Sequence, residues 1–425
     1  MTLLVFVGSL LAAMAIGVPV AFALLISGGA LMWQLNMFDA QIIAENVIHG
    51  ADSYPLLAVP FFLLAGEIMN KGGLSRRLIN LALSLVGHVH GGLGYVAILA
   101  SVLLAALSGS AVADAAMLAA LLLPMMVAAG HDPARSAGLI AASSLVAPII
   151  PPSIGFIVFG VAANVSISRL FMAGIAPGIM LAIAVTVTWW FMSRRDNVQP
   201  QPRRSFGEVM VALREAGFAL VMPVIIIVGL KMGVFTPTEA GVVAAVYATL
   251  ISLLVYRELT WQMLFQSFAD AARTSAVVML LVAAAAVSAW LITVANIPQQ
   301  VVSMLEPLIA NPMLLMAAMM VLVIIVGTAL DLTPTILILV PVLMPLVKAA
   351  GIDPVYFGVV FMINCAIGLI TPPVGVVLNT VAGIGRVSMD RVTAGVWPFM
   401  LAQFAFMFLL VLFPELVTVP AQWFR

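Results

Sequence analysis

"APIIPPSIGF", residues Ala147–Phe156, and "LITPPVG", residues Leu369–Gly375, each place two adjacent prolines inside an apolar run long enough to be a helix. A proline within a helix deletes a backbone donor and clashes with the preceding turn, so a pair stops the helix. The surroundings make that stop costly. Of 425 residues, 64% are hydrophobic and only 8% are charged, whereas soluble domains are about 25% charged. Mean hydropathy is +1.23. The chain is therefore an integral membrane protein, with apolar length for on the order of ten spans of about 20 residues. Hydrocarbon offers no water to freed backbone groups, so spans are helices or a closed barrel, and the long unalternated apolar runs exclude the barrel. The fold class is all-α, polytopic. A helix break at mid-membrane survives only where it is buried in protein or lines a polar cavity.

The two breaks are related. Pro124 and Pro345, Gly130 and Gly351, Asp132 and Asp353, Pro133 and Pro354, Pro151 and Pro372, Pro152 and Pro373, Gly174 and Gly395, and Pro177 and Pro398 all lie 221 residues apart. Scattered matches do not share one offset; two copies of one unit, 1–192 and 217–425, explain it. Between them 193–216, rich in arginine and proline, reads as a cytoplasmic linker. Apolar segments fall near 2–16, 18–35, 55–70, 93–129, 134–164 and 170–192, and again near 217–234, 238–255, 276–293, 313–347, 354–385 and 392–416. The polar stretches 37–52 and 257–273 read as amphipathic helices at the interface rather than spans.

Counting five crossings per copy, with 93–129 and 313–347 as re-entrant hairpins, inverts the second copy relative to the first. With the N-terminus outside, thirteen of the 17 Lys and Arg residues, Arg195 among them, face the cytoplasm; Arg169, Lys231, Lys348 and Arg425 lie outside. That is the bias the positive-inside rule requires. Inverted repeats with broken helices near the midplane are the architecture of secondary transporters, in which freed carbonyls hold cations and half-helix N-termini attract anions.

The hairpin tips supply facing surfaces. "ALSGSAVADAA" offers Ser108, Gly109 and Ser110, with Asp114 one turn later; "VGTALDLTPT" offers Gly327, Thr328, Asp331, Thr333 and Thr335. Hydroxyl, carboxylate and carbonyl oxygens suit a hard cation such as Na+, so each tip and its facing break forms one candidate cation site. The first adds Pro148, Ile150 and Ser153; the second adds Ile370, Thr371 and Gly375. An Asp inside an apolar run marks a functional position, since unpaired in lipid it costs at least ~2.5 kcal/mol. N-capping of the outgoing hairpin helices is the competing role for Asp114 and Asp331, and the two roles can coexist. For an anionic substrate the candidates are Ser110, Ser143, Ser153, Asn164, Thr333, Asn364 and Thr371, with Ser144 and Asn379 also on the broken helices. Near the midplane there is no cationic side chain, so the anion would rest on hydroxyls, amides, backbone N–H groups and co-bound cations.

Other classes recede. Cys365 alone makes no disulfide framework. Met1–Ala15 has no basic residue before its apolar run and reads as the first span rather than a signal peptide. Glu67 and Glu239 sit at helix ends and suit the scaffold; His49, His88, His90 and His131 have no metal-ligand spacing. Neither paired acids, a Ser-His arrangement nor an HExxH helix is present, so an enzyme is not expected. No cofactor other than the coupling ion, and no nucleic acid partner, is expected.

At these residues a family resemblance appears. "SGSAVADAAMLAALLLPMM", "APIIPPSIGFIVFGVAANVSISRLFMAGIAPG", "FTPTEAGVVAAVYA", "DLTPTILILVPVLMPL" and "GIDPVYFGVVFMINCAIGLITPPVGVVLN" resemble the large membrane subunit of tripartite ATP-independent periplasmic (TRAP) transporters, essentially end to end. The resemblance implies Na+-coupled uptake of an organic acid (a carboxylate, sugar acid or sialic-acid-like anion) across the bacterial inner membrane. It implies an elevator movement of a transport domain, 93–164 with 313–385, against a scaffold, 1–70 with 217–293, set in membrane lipid. Two partners are implied: a small four-helix membrane subunit and a periplasmic substrate-binding protein. "GADSYPLLAVPFFLLAGEIMN" and "FPELVTVP" look most like members that carry sugar acids such as diketogulonate. Gly155 departs from the proline that many relatives place after "PPSI". A stand-alone Na+/carboxylate symporter with two hairpins is the alternative; neighbouring genes for the two partners discriminate.

Overall fold

Helices account for all the regular structure in the computed structural model, which describes residues 2–194, 198 and 200–423. Arg195 and Arg425, which the orientation count places in the cytoplasm and outside, lie outside the described residues, as do Asp196, Asn197 and Gln199 of the linker. Among the described residues seven helices are long and apolar enough to cross a membrane, and a bent pair makes an eighth.

The offset of 221 carries over into helix order. In the first copy a hairpin, Gly92–Ser108 and Ala111–Ala128, precedes a broken helix, Pro133–Ser144 and Ile154–Ala163, and then a long helix, Ile167–Ser193. The second copy repeats this with Pro312–Gly327 and Leu332–Ala349, Pro354–Gly368 and Val376–Gly385, and Met389–Leu412. Local chemistry sets the matching starts. Asp132 and Asp353 both cap the first turn of a broken helix, Asp132 accepting from Arg135 N at 2.8 Å and Asp353 from Val355 N at 2.7 Å, and a proline occupies the next position in each. A proline there lacks only a donor that the helix could not have used.

Three readings shift at the edges of these elements. The helix Phe206–Lys231 begins inside the segment read as linker, because Ser205 and Glu208 form a capping box: Ser205 N donates to Glu208 at 2.6 Å. That reciprocal pair satisfies two otherwise orphaned donors and fixes the start. The stretch 257–273 is not a separate interfacial helix but runs on as Trp261–Val294, whereas its counterpart Ala40–Ala51 is bent by 56° from Tyr54–Lys71. Pro55 stands just past that bend, and the second copy has Ala276 in its place, with an intact donor. Finally, Thr2–Ala15 and Val20–Gln34 have 14 and 15 residues, shorter than the ~20 a perpendicular span uses.

Packing interlocks the copies. The outgoing helix of each hairpin lies against the second half of the other copy's broken helix: Ala111–Ala128 on Val376–Gly385, and Leu332–Ala349 on Ile154–Ala163. Elsewhere Ala58–Lys71 packs on Pro237–Leu250 and on Trp261–Val294. Ion pairs close one end of this second group. Lys71 Nζ lies 2.6 Å from Asp270, and Glu258 takes Arg76 at 2.9 Å and Arg77 at 2.7 Å. Arg77 also stacks over the Tyr256 ring at 3.7 Å.

Candidate functional site

The first hairpin tip meets the first break. Ser110 caps Ala111–Ala128, accepting from Ala113 N at 3.4 Å, and Ser108 Oγ donates to Asp114 Oδ1 at 2.5 Å. Asp114 is fully buried and its Oδ2 has no hydrogen-bond partner. Asp114 therefore does not cap the helix; Ser110 does. Between the two serines Gly109 adopts φ +59°, and a Cβ there would lie 2.5 Å from the Pro152 carbonyl oxygen. Only glycine lets the tip turn in the left-handed region and approach this closely. In the break, Ser153 Oγ donates to the Pro148 carbonyl at 2.6 Å and accepts from Phe156 N at 3.3 Å, so it opens the second half-helix as its cap. Residues Leu145–Ser153 are all buried. Ser108, Gly109, Ser110, Asp114, Pro148 and Ser153 thus gather in one place. The Ile150 side chain packs against Gly178.

The second site is built differently. By the offset, the counterpart of Ser110 is Asp331 and that of Asp114 is Thr335. Asp331 accepts from Leu332 N at 2.8 Å as the cap of Leu332–Ala349, and Thr335 Oγ1 donates to the Asp331 carbonyl at 2.8 Å. Thr333 lies in the first turn of that helix. Tip and break meet at two glycines: a Cβ on Gly327 would lie 3.4 Å from Gly368 Cα, and one on Gly368 would lie 2.8 Å from the Gly327 backbone. Thr328 and Thr371 donate back into their own helices, to Ile325 and Ile367 carbonyls, both at 2.8 Å. Ile370 is buried, and Gly375, at φ +51°, precedes Val376–Gly385. Val377 N donates across the break to the Leu369 carbonyl at 3.0 Å. Both breaks contain a cis peptide, Pro151–Pro152 and Pro372–Pro373.

One difference separates the breaks: the first is wholly buried, while the second exposes Pro373 and Val374. The following long helices explain it. Gly174 brings Ile167–Ser193 against the first break, where a Cβ would lie 2.5 Å from the Ile149 carbonyl; its counterpart Gly395 packs instead on Ala134 and Gly138 of the first broken helix.

The remaining substrate candidates divide. Asn364 is buried and donates to the Met320 carbonyl at 2.6 Å, leaving its Oδ1 without a partner. Ser143, its counterpart by the offset, accepts from Ser101 at 3.1 Å in a buried serine pair. Asn164 sits apart, capping the far end of Ile154–Ala163 at φ +54° beside Tyr54 and Thr238. Gly155 lies next to Met362 and Leu332, so the first break and the second hairpin share one centre, and those two side chains fill the space a larger residue would occupy. Gln403 is a further polar residue, on Met389–Leu412. It is buried, donates to the Ala142 carbonyl at 2.9 Å, and leaves Oε1 unpartnered. A lone amide within "FMLAQFAFM" is visible by the same criterion that singles out Asp114.

Residues 7–416 match the family described as tripartite ATP-independent periplasmic transporter, DctM component. The chain belongs to that family. It is 53% identical over 423 residues, covering 100% of both chains, to the 2,3-diketo-L-gulonate TRAP transporter large permease protein of Escherichia coli (strain K12). It is 37% identical over 408 residues, 96% of each chain, to the sialic acid TRAP transporter large permease protein of Vibrio cholerae (serotype O1, strain El Tor Inaba N16961). Among solved structures, the Alcanivorax borkumensis YdaH transporter matches with a TM-score of 0.65 and 15% identity, over 88% of this chain and 89% of that one. This last likeness concerns the fold. The chain is thus a multi-pass TRAP large permease subunit and not an enzyme.

Proposed function

We propose that this subunit imports an organic acid anion across the bacterial inner membrane, coupled to Na+ and dependent on a binding protein. The observation that carries the coupling is the first tip and break: a buried carboxylate oxygen of Asp114 without a hydrogen-bond partner, beside Ser108, Ser110 and the backbone of Pro148–Ser153. An anionic oxygen in that position is unfavourable unless a cation meets it. Na+ would be held by Asp114 and neighbouring hydroxyl and carbonyl oxygens, and its charge would favour an anion nearby. The N-termini of Ala111–Ala128 and Ile154–Ala163 add partial positive charge on the same side.

The substrate is a sugar acid, supported by 53% identity over the whole chain with the E. coli diketogulonate permease; a sialic acid is the next candidate, from the Vibrio cholerae relative. The partners are a small four-helix membrane subunit and a periplasmic binding protein. The interlocked hairpins and broken helices, 93–164 and 313–385, move as one transport domain against 1–70 and 217–293, an elevator displacement about an interface. Uptake of 2,3-diketogulonate into proteoliposomes containing all three proteins tests the reading. It should require an inward Na+ gradient and no ATP; uptake unchanged without Na+ would refute the coupling. Cross-links between 93–164 and the scaffold should abolish uptake in folded protein, and full activity in locked protein counts against the elevator.

A further inference from the structure

A groove of about 810 Å³ runs between the outgoing helix of the first hairpin and the end of the second broken helix. One wall is the exposed apolar face Ala120, Pro124 and Val127, and Ile384 stands opposite. Its floor is tight because Gly385 lets the two helices touch at Leu123. Ala120–Ala128 spans roughly 12 Å at about 1.5 Å per residue, close to one leaflet of a hydrocarbon core about 30 Å thick. An apolar wall of that length at the end of the helix is the height of an acyl chain.

The rim is of opposite character. Arg386 and Arg391 both line the groove, with Ser388 between them at the start of Met389–Leu412. Ser388 stands at the N-cap of that helix and makes no side-chain capping bond. The nearby carboxylates do not neutralise the rim. Asp132 caps Arg135 N and reaches Arg391 only at 3.9 Å in an exposed pair, a geometry worth little. Asp390 is exposed in the first helical turn. By the distribution of basic residues this end faces the cytoplasm, whose leaflet attracts Lys and Arg at about 1 kcal/mol each.

We propose that this groove holds an anionic phospholipid of the cytoplasmic leaflet, its phosphate between Arg386 and Arg391 and one acyl chain along the Ala120–Val127 face. The apolar wall selects a lipid over a soluble anion, and the two guanidiniums select an anionic headgroup over a zwitterionic one. Because the groove joins the first hairpin to the second broken helix, the lipid binds across the interlock between the copies.

Native mass spectrometry of the detergent-solubilised chain tests this, using dioleoyl phosphatidylglycerol and dioleoyl phosphatidylcholine as probes. Wild type should retain phosphatidylglycerol preferentially, and the R386Q/R391Q variant should bind it roughly ten-fold more weakly while binding phosphatidylcholine as wild type does. R203Q/R204Q, which removes two arginines from the linker, should behave as wild type. Thermal midpoints without added lipid confirm that the variants are folded. Equal phosphatidylglycerol retention by R386Q/R391Q and wild type overturns the proposal. So does displacement of the lipid by millimolar inorganic phosphate or gluconate, which would make the rim a site for soluble anions.

Discussion

Gly109 of the first hairpin tip and Pro152 of the first break lie in backbone contact, so close that a Cβ on Gly109 would fall 2.5 Å from the Pro152 carbonyl oxygen. The second copy reaches the same closeness with different residues, Gly327 against Gly368. A tip that must seat on a broken helix leaves no volume between them, which is why small residues interrupt both apolar runs.

Gly109→Ala should therefore damage both stability and transport. Overpacking costs about 1–3 kcal/mol, and the left-handed φ of +59° adds strain for any residue with a Cβ. We expect a lowered thermal midpoint and uptake below about a tenth of wild type. Gly383→Ala is the control: it lies within Val376–Gly385 with nothing inside 4 Å of the added carbon, and should be neutral or slightly stabilising. Matching losses in the two variants would show that alanine is disfavoured at both positions alike, so that the contact with Pro152 is not the cause.

Asp114→Asn separates charge from shape. Ser108 can still donate to the amide oxygen, but the unpartnered Oδ2 becomes an NH2 group that repels a cation. The apparent Na+ affinity for uptake should fall at least ten-fold, a change of about 1.4 kcal/mol or more. Ser108→Ala leaves the carboxylate without its donor and should weaken Na+ dependence less, by roughly five-fold. A Na+ titration of uptake unaltered in Asp114→Asn would remove the first cation site from the mechanism.

Away from the hairpins, Glu258 joins Arg76 and Arg77 of one copy to the loop after Pro237–Val255 of the other. Arg77 is only 16% exposed, so its charge is poorly solvated once Glu258 is gone. Glu258→Gln should cost about 1–3 kcal/mol, between the values for exposed and buried pairs. A double-mutant cycle with Arg77→Gln, read by thermal unfolding, should show coupling; additive effects would mean that the pair contributes nothing across the copies.

Much of this is visible in the sequence because proline and glycine act locally. The double prolines stop a helix whatever surrounds them, and the single offset of 221 follows from residues such as Asp132 and Asp353 that cap the same turn twice. Side-chain partners are not local in this sense. The parallel between Asp114 and Asp331 suggested by their apolar surroundings dissolves in the structure: Asp114 is buried against Ser108, whereas Asp331 is a cap at the position of Ser110. Asn164 likewise belongs to a helix end whose distance from the break is set by the length of Ile154–Ala163, and the buried Gln403 finds Ala142 across 261 residues of chain. The start of Phe206–Lys231 was legible in principle, since Ser205 and Glu208 have capping-box spacing, but the arginines and prolines before it obscured the signal.

Asp331 offers a clean separation of capping from cation binding, because asparagine caps a helix about as well as aspartate. Asp331→Asn should preserve the bond to Leu332 N, now 2.8 Å long, and leave thermal stability nearly unchanged. Asp331→Ala removes the acceptor and should cost about 1 kcal/mol, the usual value for a lost cap. If Asp331 also meets Na+ at the second tip, Asp331→Asn should still raise the Na+ concentration for half-maximal uptake several-fold, since the negative charge is gone while the helix start is intact. The two effects are read independently, by thermal unfolding and by Na+ titration of uptake in proteoliposomes with both partner proteins. A normal titration in Asp331→Asn with a destabilised Asp331→Ala would make the residue a cap alone, and would confine side-chain carboxylate binding to Asp114 in the first copy.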